Sequence, residues 1–134
     1  MSKRKVLVID DEKLLVKSTC MALNHFGFET SGALDGESGI AAAVSFGPEI
    51  ILLDIMMPGM DGWQVLEKLK QQESTARIPV VIFTAKEYSS GFSLAVTRGA
   101  VNYIAKPFEI EDMVAVLYKH LSPGEGAVPQ RSEV

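Results

Sequence analysis

Residues 49–62 read EIILLDIMMPGMDG. An unbroken apolar run of this kind predicts a strand that is covered on both faces, because a strand with one wet face alternates apolar and polar residues. The run is interrupted by a carboxylate at Asp54, and the pair Pro58 and Gly59 then predicts a turn. This stretch therefore predicts a buried strand that ends by presenting Asp54 in a loop.

Four further runs predict strands, of which the one at residues 28–32 has the weakest signal. Together with residues 49–53, the predicted strands are residues 5–9, 28–32, 79–83 and 101–105. Glutamate, threonine and serine give the 28–32 run a polar, alternating pattern. That pattern predicts a strand at the edge of the sheet with one wetter face.

Between these runs the spacing of apolar residues becomes helical. The residues predicted to face inward are Leu15, Thr19, Ala22, Leu23 and Phe26 in the first helix, Ile40, Ala43 and Val44 in the second, Val65, Leu66 and Leu69 in the third, and Ile110, Met113, Val114, Leu117 and Leu121 in the last. Asp61 is the predicted N-cap of the third helix. The fourth helix, from about residue 87 to 97, contains Ser89, Ser90 and Gly91, so we expect it to be short or mobile.

Five alternations of strand and helix predict an α/β fold with a parallel sheet, right-handed crossovers and helices on both faces. The expected architecture is flavodoxin-like, a doubly wound (βα)5 sheet with strand order 2-1-3-4-5. We expect a single domain over residues 1–121. Residues 122–134 have little to bury, which predicts a flexible C-terminal tail or a truncated linker.

Composition excludes several classes of function. The chain has 134 residues and a formal net charge of −4, so we expect one domain and no direct nucleic-acid binding by this chain. A single cysteine, Cys20, excludes an internal disulfide. No apolar run approaches the length of a membrane span, and the run after the basic residues 3–5 is too short for a signal peptide. We therefore expect a cytoplasmic protein without a membrane segment.

Polar residues follow the predicted strands at their carboxyl ends. They are Asp10 and Asp11 after the first strand, Asp54 after the third, Thr84 after the fourth and Lys106 after the fifth. In a doubly wound sheet, sites form outside the carboxyl ends of the strands where the strand order reverses, here between strands one and three. We therefore expect the three aspartates to converge, with the threonine and the lysine on the same rim.

Three close carboxylates repel one another, and a bound divalent cation relieves that repulsion. All-oxygen ligands favour Mg²⁺, Mn²⁺ or Ca²⁺ over zinc. A cation, a lysine and a hydroxyl together suit phosphoryl transfer to an aspartate, which would attack in line and be left as an acyl phosphate. The alternative for Asp10 and Asp11 is a helix N-cap followed by a first-turn acid. Thr84 alone would suit a plain strand end, and Lys106 alone a solvated side chain.

Four blocks of the sequence carry a family resemblance. They are VLVIDDE at residues 6–12, LDIMMPGMDG at 53–62, FTA at 83–85 and YIAKPF at 103–108. Together they resemble the signature blocks of response-regulator receiver domains of two-component signal transduction, such as chemotaxis regulators, over residues 5–121. The resemblance implies a phosphorylation-dependent switch that is not an enzyme beyond self-phosphorylation from small donors and autodephosphorylation.

Position by position, the resemblance assigns a role to each of these residues. It makes Asp54 the phosphoacceptor and Tyr103 the switch aromatic. The implied Mg²⁺ ligands are Asp11 directly, Asp10 through a water, Asp54, and the backbone carbonyl of Met56. The implied partners of the phosphoryl group are the Thr84 hydroxyl, the Ala85 amide and Lys106, which would pair with the phosphoacceptor first. The bond between Lys106 and Pro107 resembles one that is cis in the family.

The resemblance also implies partners and a mechanism. A sensor histidine kinase or a phosphotransfer protein would supply the phosphoryl group, and a downstream effector protein or a lost output domain would read the result. Thr84 would be drawn toward the phosphoryl group and Tyr103 would turn into the vacated space. The surface of helix four, strand five and helix five would then change its preference for partners, with homodimerisation as one outcome.

Two departures from the family pattern affect what we expect. Met56 and Lys86 stand at the variable positions beside the acyl phosphate, and a methionine cannot orient water by hydrogen bonding. We therefore expect slower decay than in relatives with polar residues there. Val101 and Asn102 replace the acidic pair often found before the switch aromatic, so partner choice does not follow from the sequence.

Two other functions compete with this interpretation. A pseudo-receiver would keep the fold as an interaction module without phosphorylation, although all five pocket residues are present. A haloacid-dehalogenase-type phosphatase would also use an aspartyl phosphate, but it resembles Asp-x-Asp at the nucleophile, and the second acid is replaced here by Met56. The sequence does not distinguish a stand-alone regulator from a fragment of a longer one.

Overall fold

The computed structural model describes residues 3–85 and 91–121. Within them five strands and five helices alternate: β1 Lys5–Ile9, α1 Lys13–His25, β2 Glu29–Ala33, α2 Gly36–Ser45, β3 Ile50–Leu53, α3 Gly62–Gln71, β4 Val80–Ala85, α4 Gly91–Thr97, β5 Asn102–Lys106 and α5 Ile110–His120. The predicted alternation of strand and helix is confirmed.

The five strands form one parallel sheet in the order β2-β1-β3-β4-β5. The flavodoxin-like prediction and its strand order are confirmed. β3 is buried at all four residues, and β2 at the edge is buried only at Ala33. This contrast follows from position, since an interior strand is covered by helices on both faces and an edge strand meets water.

Alternate residues of each interior strand pack against opposite layers of helices. Leu7 and Leu53 belong to a core that α2, α3 and α4 cover, whereas Val8 and Leu52 belong to a core that α1 and α5 cover. The period of two along a strand produces this division. The apolar runs in the sequence are continuous because both faces need apolar side chains.

The N-terminus of α3 is fixed by a capping box, as the sequence predicted for Asp61. Its carboxylate accepts a hydrogen bond from the Gln64 N–H at 3.0 Å, and the Gln64 side chain accepts one from the Asp61 N–H at 3.0 Å. Two backbone donors that the helix leaves unpaired are thereby satisfied. The cap sets where the loop after β3 ends and α3 begins.

The predicted inward faces are confirmed for α3 and α5 and are partly wrong for α1 and α2. In α1 the buried residues are Val16, Thr19 and Leu23, and Phe26 is partly exposed. In α2 Val44 is 53% exposed. The sequence pattern favoured large apolar residues there, whereas α2 lies against the sheet through small ones.

Gly39 shows why α2 approaches the sheet so closely. A Cβ at this position would lie 2.7 Å from Cδ1 of Ile9, so the helix backbone itself forms the contact with the strand. Gly36 and Ala43 are also buried on this face of α2. A hydropathy pattern does not register glycine as a packing residue, which explains the error at Val44.

Strand ends differ from the predicted ones by one or two residues, with one consequence for the site. β4 runs to Ala85 because Thr84 pairs with Ala105 and Ala85 pairs with Lys106 of β5. Thr84, Ala85 and Lys106 are therefore strand residues, and their expected place after the strands was wrong. Sheet pairing holds these three positions more rigidly than a loop would.

Three predictions lie outside the described residues. They concern the tail at residues 122–134, the first part of the fourth helix with Ser89 and Ser90, and the place of Lys86 beside the acyl phosphate. The described part of that helix, α4, has 7 residues. Among the described residues no helix is long and apolar enough to cross a membrane.

Candidate functional site

Three carboxylates converge at the carboxyl edge of β1 and β3. One side-chain oxygen each from Asp10, Asp11 and Asp54 lies within 4.8 Å of the other two. The two strands are neighbours with Ile9 opposite Leu53, so the residues that follow them emerge side by side. The convergence predicted from the strand ends is therefore present in the structure.

Asp10 is fully buried and has a partner at each carboxylate oxygen. Its Oδ1 accepts a hydrogen bond from the Glu12 N–H at 2.9 Å, and its Oδ2 lies 2.6 Å from Nζ of Lys106. Its own N–H donates to the Ala33 carbonyl at 3.1 Å, which anchors it to the edge strand. Asp10 is thus fixed in position before any ligand binds.

The alternative reading of Asp10 and Asp11 as a helix cap is wrong. α1 begins at Lys13, and its N-cap is Glu12, which makes no side-chain cap hydrogen bond. The Asp10 carboxylate binds the Glu12 N–H, one residue before the helix, and Asp11 is exposed. Neither aspartate is therefore placed to serve as the helix N-cap.

Asp54 is 4% exposed and follows β3 directly. Its N–H donates to the Ile9 carbonyl at 2.9 Å, and its Oδ1 accepts a hydrogen bond from the Met56 N–H at 3.3 Å. Burial raises the pKa of Asp54, and the neighbouring Asp10 carboxylate raises it further. The Thr84 hydroxyl, Lys106 and the Met56 N–H oppose this rise. The pKa of Asp54 is therefore raised by burial and held in check by the donors and the positive charge around it.

Thr84 has a fully buried hydroxyl that makes no hydrogen bond within the described part of the chain. It lies near enough to Asp54 to lower the pKa of that carboxyl, but the two groups do not meet hydrogen-bond geometry. A buried hydroxyl without a partner is costly. Beside the Asp54 carboxylate, this hydroxyl can donate a hydrogen bond to a further group that enters the cavity.

Lys106 closes the site at the end of β5. Its Nζ lies 2.6 Å from Oδ2 of Asp10, 3.7 Å from Oδ2 of Asp54 and 3.8 Å from Oε1 of Glu12. It also lies 4.8 Å from the centroid of the Phe83 ring, which confines it on the side of the sheet. The next peptide bond, to Pro107, is cis.

Tyr103 lies in β5, two strands from β3 and three from β1, and is partly buried against the core that α2, α3 and α4 cover. Its hydroxyl donates to the carbonyl of Ala85 at 3.2 Å. The aromatic residue of β5 is therefore linked to the residue that follows Thr84 in β4.

Glu12 and Gly62 contribute to the site, although no role was predicted for either residue. Glu12 belongs to the Asp-Asp-Glu run, and that run of charge was the signal. A Cβ on Gly62 would collide with the carbonyl oxygen of Asp54 and lie 2.5 Å from Cα of Ile55, so α3 begins against the backbone of the loop. The Gly62 N–H donates to the Ile55 carbonyl at 2.9 Å.

The assembled residues surround an open cavity of about 330 Å³. It is lined by Asp11, Glu12, Asp54, Met56, Thr84, Ala85 and Lys106. The donor set is entirely oxygen, which fits a hard divalent cation such as Mg²⁺ and does not fit a structural zinc. The unpartnered Thr84 hydroxyl and the lysine at the same cavity fit an anionic oxygen group bound beside such a cation.

The sequence of the chain matches one family model, described as response regulator receiver domain, over residues 6–118. Among curated proteins, it is 40% identical over 109 residues to the probable transcriptional regulatory protein TcrX of Mycobacterium tuberculosis, covering 81% of this chain and 46% of that protein. It is 33% identical over 111 residues to the response regulator ArlR of Staphylococcus aureus, covering 83% and 49%. The chain thus spans about half the length of these relatives.

Solved structures give the same match at the level of the fold. The chemotaxis protein CheY4 of Vibrio cholerae superimposes with a TM-score of 0.83 at 25% identity, covering 90% of this chain and 100% of that one. The receiver domain of the Francisella response regulator 1452 superimposes with a TM-score of 0.78 at 30% identity, covering 87% and 98%.

Proposed function

This chain belongs to the response regulator receiver domain family, and from that premise we propose that Asp54 accepts a phosphoryl group and that the acyl phosphate changes the surface formed by α4, β5 and α5. Receiver domains are the signalling switches of two-component systems. The observation that carries the proposal is that the buried Asp54 and the Thr84 hydroxyl, which has no hydrogen-bond partner among the described residues, line the same cavity.

The proposed reaction is an in-line displacement at phosphorus. A carboxylate oxygen of Asp54 forms the new P–O bond while the bond from phosphorus to the donor breaks. The leaving group is the imidazole nitrogen of a phosphohistidine, or the carboxylate of acetyl phosphate, and it keeps the bonding electron pair. Such a transfer needs placement and charge neutralisation more than covalent help from the protein.

The residues that hold Mg²⁺ in this proposal are Asp10, Asp11, Asp54 and the Met56 carbonyl. When bound, the cation neutralises charge on the carboxylates and on the phosphoryl oxygens. Lys106 supplies a further positive charge, and the Thr84 hydroxyl and the Ala85 N–H donate hydrogen bonds to the phosphoryl group. The proposal is supported by the sheet, since Asp10 and Asp54 directly follow strands and Thr84, Ala85 and Lys106 lie in strands.

The switch follows from the position of Thr84 in β4, next to Ala85, whose carbonyl accepts the Tyr103 hydroxyl. A hydrogen bond from Thr84 to a phosphoryl oxygen moves the end of β4, and Tyr103 follows because it is bonded to that end. The surface that Tyr103 shares with α5 then prefers different partners. Phosphorylation adds about two negative charges to start this change.

The partners are proposed on the same basis. A sensor histidine kinase or a phosphotransfer protein is the donor, and an effector protein or an output domain reads the state, with homodimerisation on phosphorylation as one form of output. We assign residues 1–121 to the receiver domain and residues 122–134 to a tail or linker, and we place the protein in the cytoplasm. Self-phosphorylation from small donors and autodephosphorylation are the only chemistry proposed for it.

Met56 distinguishes this proposal from a phosphatase. It is 49% exposed and lines the cavity two residues after Asp54, where a thioether cannot serve as a general acid. Release of a leaving alkoxide therefore has no proton donor at that position. Turnover of phosphate esters is accordingly not proposed.

The test is the intact mass of the protein after incubation with acetyl phosphate and Mg²⁺. We expect a gain of about 80 Da, the mass of one phosphoryl group, in the wild type and not in Asp54→Asn, and we expect EDTA to prevent it. Beryllofluoride binding, followed by ¹H–¹⁵N spectra, covers the case of rapid hydrolysis. The absence of both the adduct and beryllofluoride binding would contradict the proposal and favour a pseudo-receiver.

A further inference from the structure

The Asp10 carboxylate is occupied by groups of the protein itself. Its Oδ1 receives the Glu12 N–H at 2.9 Å, and its Oδ2 receives the ammonium of Lys106 at 2.6 Å. Asp10 is also one of the three carboxylates that converge as a cation site. A cation that uses Asp10 therefore competes with Lys106, since both positive groups are drawn to the same carboxylate and the ammonium already occupies its Oδ2.

Lys106 cannot leave Asp10 without another anionic partner. Its side chain is only 18% exposed, and an ammonium that is largely withdrawn from water is costly unless it is paired. Two further carboxylates lie within 4.0 Å of its Nζ in the described residues, Asp54 at 3.7 Å and Glu12 at 3.8 Å. Asp54 and Glu12 differ in the other roles that the site requires of them.

Asp54 is a poor permanent partner for Lys106. It belongs to the same cation cluster as Asp10 and is the residue that the proposed function converts to an acyl phosphate. Glu12 belongs to neither set. Its side chain is 65% exposed and carries no other hydrogen bond among those the structure records, so it is free to change rotamer toward the lysine.

We propose that Glu12 is a positioning residue that receives Lys106 when a cation takes its place at the Asp10 carboxylate. The proposal deepens the proposed function, on which it rests, and it makes the affinity for Mg²⁺ depend on a residue that does not bind Mg²⁺. Without the Glu12 carboxylate, Lys106 keeps its ion pair with Asp10, and this ion pair competes with binding of the cation. With Glu12, whose Oε1 already lies 3.8 Å from the Lys106 Nζ, the ammonium remains paired after it leaves Asp10.

The experiment is a double-mutant cycle read by Mg²⁺ affinity. Mg²⁺ binding isotherms are taken from ¹H–¹⁵N spectra of four proteins: wild type, Glu12→Gln, Lys106→Met and the double variant. Glutamine keeps the length of the side chain and removes its charge, and methionine keeps most of the lysine stem. The dispersed spectrum of each variant shows directly whether it is folded.

We expect Glu12→Gln to weaken Mg²⁺ binding about five-fold, in the range of one partly buried ion pair. Lys106→Met should tighten it, because the competitor for Asp10 is gone. In the Lys106→Met background, Glu12→Gln should then lose most of its effect. This coupling is what identifies action through the lysine, because neighbours that share an interaction are not additive.

Two results would overturn the inference. One is an equal Mg²⁺ affinity in wild type and Glu12→Gln. The other is the same weakening in both backgrounds, which would mean that Glu12 acts by its own charge or as a direct ligand. Glu12→Asp adds a check, since a shorter carboxylate should restore only part of the affinity.

The isotherms contain no phosphoryl donor, so they separate this inference from the proposed function. Coupling between Glu12 and Lys106 without a phosphoryl adduct would leave the inference standing and overturn phosphorylation of Asp54. A phosphoryl adduct without coupling between Glu12 and Lys106 would support phosphorylation of Asp54 and overturn the inference about Glu12. No saturable Mg²⁺ binding in the wild type would overturn the cation site and the inference together.

Discussion

Thr84 is fully buried and its hydroxyl has no hydrogen-bond partner in the described part of the chain. Removal of this hydroxyl should therefore affect anion binding and leave stability nearly unchanged. Thr84→Val removes the hydroxyl and keeps the shape, so we expect the free energy of unfolding to stay within about 1 kcal/mol of wild type or to rise. The affinity for beryllofluoride should fall, because the anion loses a donor. Urea unfolding and beryllofluoride binding measure the two effects. A large loss of stability with unchanged affinity would contradict this role.

Met56 is the residue at which the lifetime of the acyl phosphate should be set. Its side chain is half exposed and lines the cavity, and its N–H donates a hydrogen bond to the Asp54 carboxylate. Met56→Asn introduces a side chain that orients water, so we expect loss of the phosphoryl group to be faster by roughly ten-fold, less than a fully positioned general base supplies. Intact mass followed over time after removal of the donor gives the rate, and Met56→Leu is the apolar control. Equal rates for wild type and Met56→Asn would refute the prediction.

The N-terminus of α3 depends on close contact between a helix and the loop that carries Asp54. A Cβ at Gly62 would meet the Asp54 carbonyl and Cα of Ile55, both of them backbone atoms that cannot move aside alone. We expect Gly62→Ala to lower the free energy of unfolding by about 2 kcal/mol, the cost of overpacking. Phosphorylation by acetyl phosphate should fall as well, since the loop must shift.

Gly59 provides a matched control for this element in the same loop. It has φ +74° and nothing within 4 Å of an added Cβ. Gly59→Ala should therefore cost about 1–2 kcal/mol of stability from its left-handed backbone alone and leave the phosphorylation rate of the folded protein close to wild type. If both variants were phosphorylated at the wild-type rate, the close approach at Gly62 would not matter for the site.

The end of α5 is joined to the start of β5 by a contact that depends on pH. Asn102 accepts the Tyr103 N–H at its Oδ1 at 2.8 Å, so its amide nitrogen is left to donate to Nε2 of His120 at 3.2 Å. That acceptor exists only in the unprotonated ring. Burial, and the charge of the neighbouring Lys119, lower the pKa of His120.

Because the pKa of His120 is lower in the folded state, the unfolded chain binds more protons near pH 6, and stability is lost as the pH falls below the unfolded value of about 6.5. We expect wild type to lose more stability between pH 7.5 and pH 5.5 than His120→Gln, which cannot be protonated. Urea unfolding at the two pH values makes the comparison. Equal losses would show that the contact does not depend on the charge of the ring.

Across the whole molecule, most of the fold follows from the sequence because the core has two layers. Continuous apolar runs such as residues 50–53 are needed only where helices cover both faces, so they predict interior strands directly. The pattern fails where packing is done by backbone, as at Gly39 of α2, or where sheet pairing extends a strand, as at Thr84. Hydropathy records neither of these effects.

The sequence predicted which residues lie in the site, but not which side chains contact one another. Parallel strands end at one edge, so the sequence brings Asp10 and Asp54 together without knowledge of side chains. Whether Lys106 contacts Asp10 or Asp54 depends on side-chain rotamers, and the structure places Lys106 nearer Asp10, which lies 96 positions away in sequence. The sequence marks Glu12 only as the third acid of the Asp-Asp-Glu run, and its proximity to Lys106 is known only from the structure.

The most direct measurement of the central claim is to locate the phosphoryl group on the chain. Borohydride reduces an acyl phosphate to an alcohol and leaves a free carboxylate unchanged. After incubation with acetyl phosphate and Mg²⁺, borohydride reduction and peptide mass mapping should find homoserine at position 54. Homoserine should be absent when either acetyl phosphate or Mg²⁺ is left out. Homoserine at Asp10 or Asp11 instead, or at none of the three, would contradict the assignment of Asp54 as the phosphoacceptor.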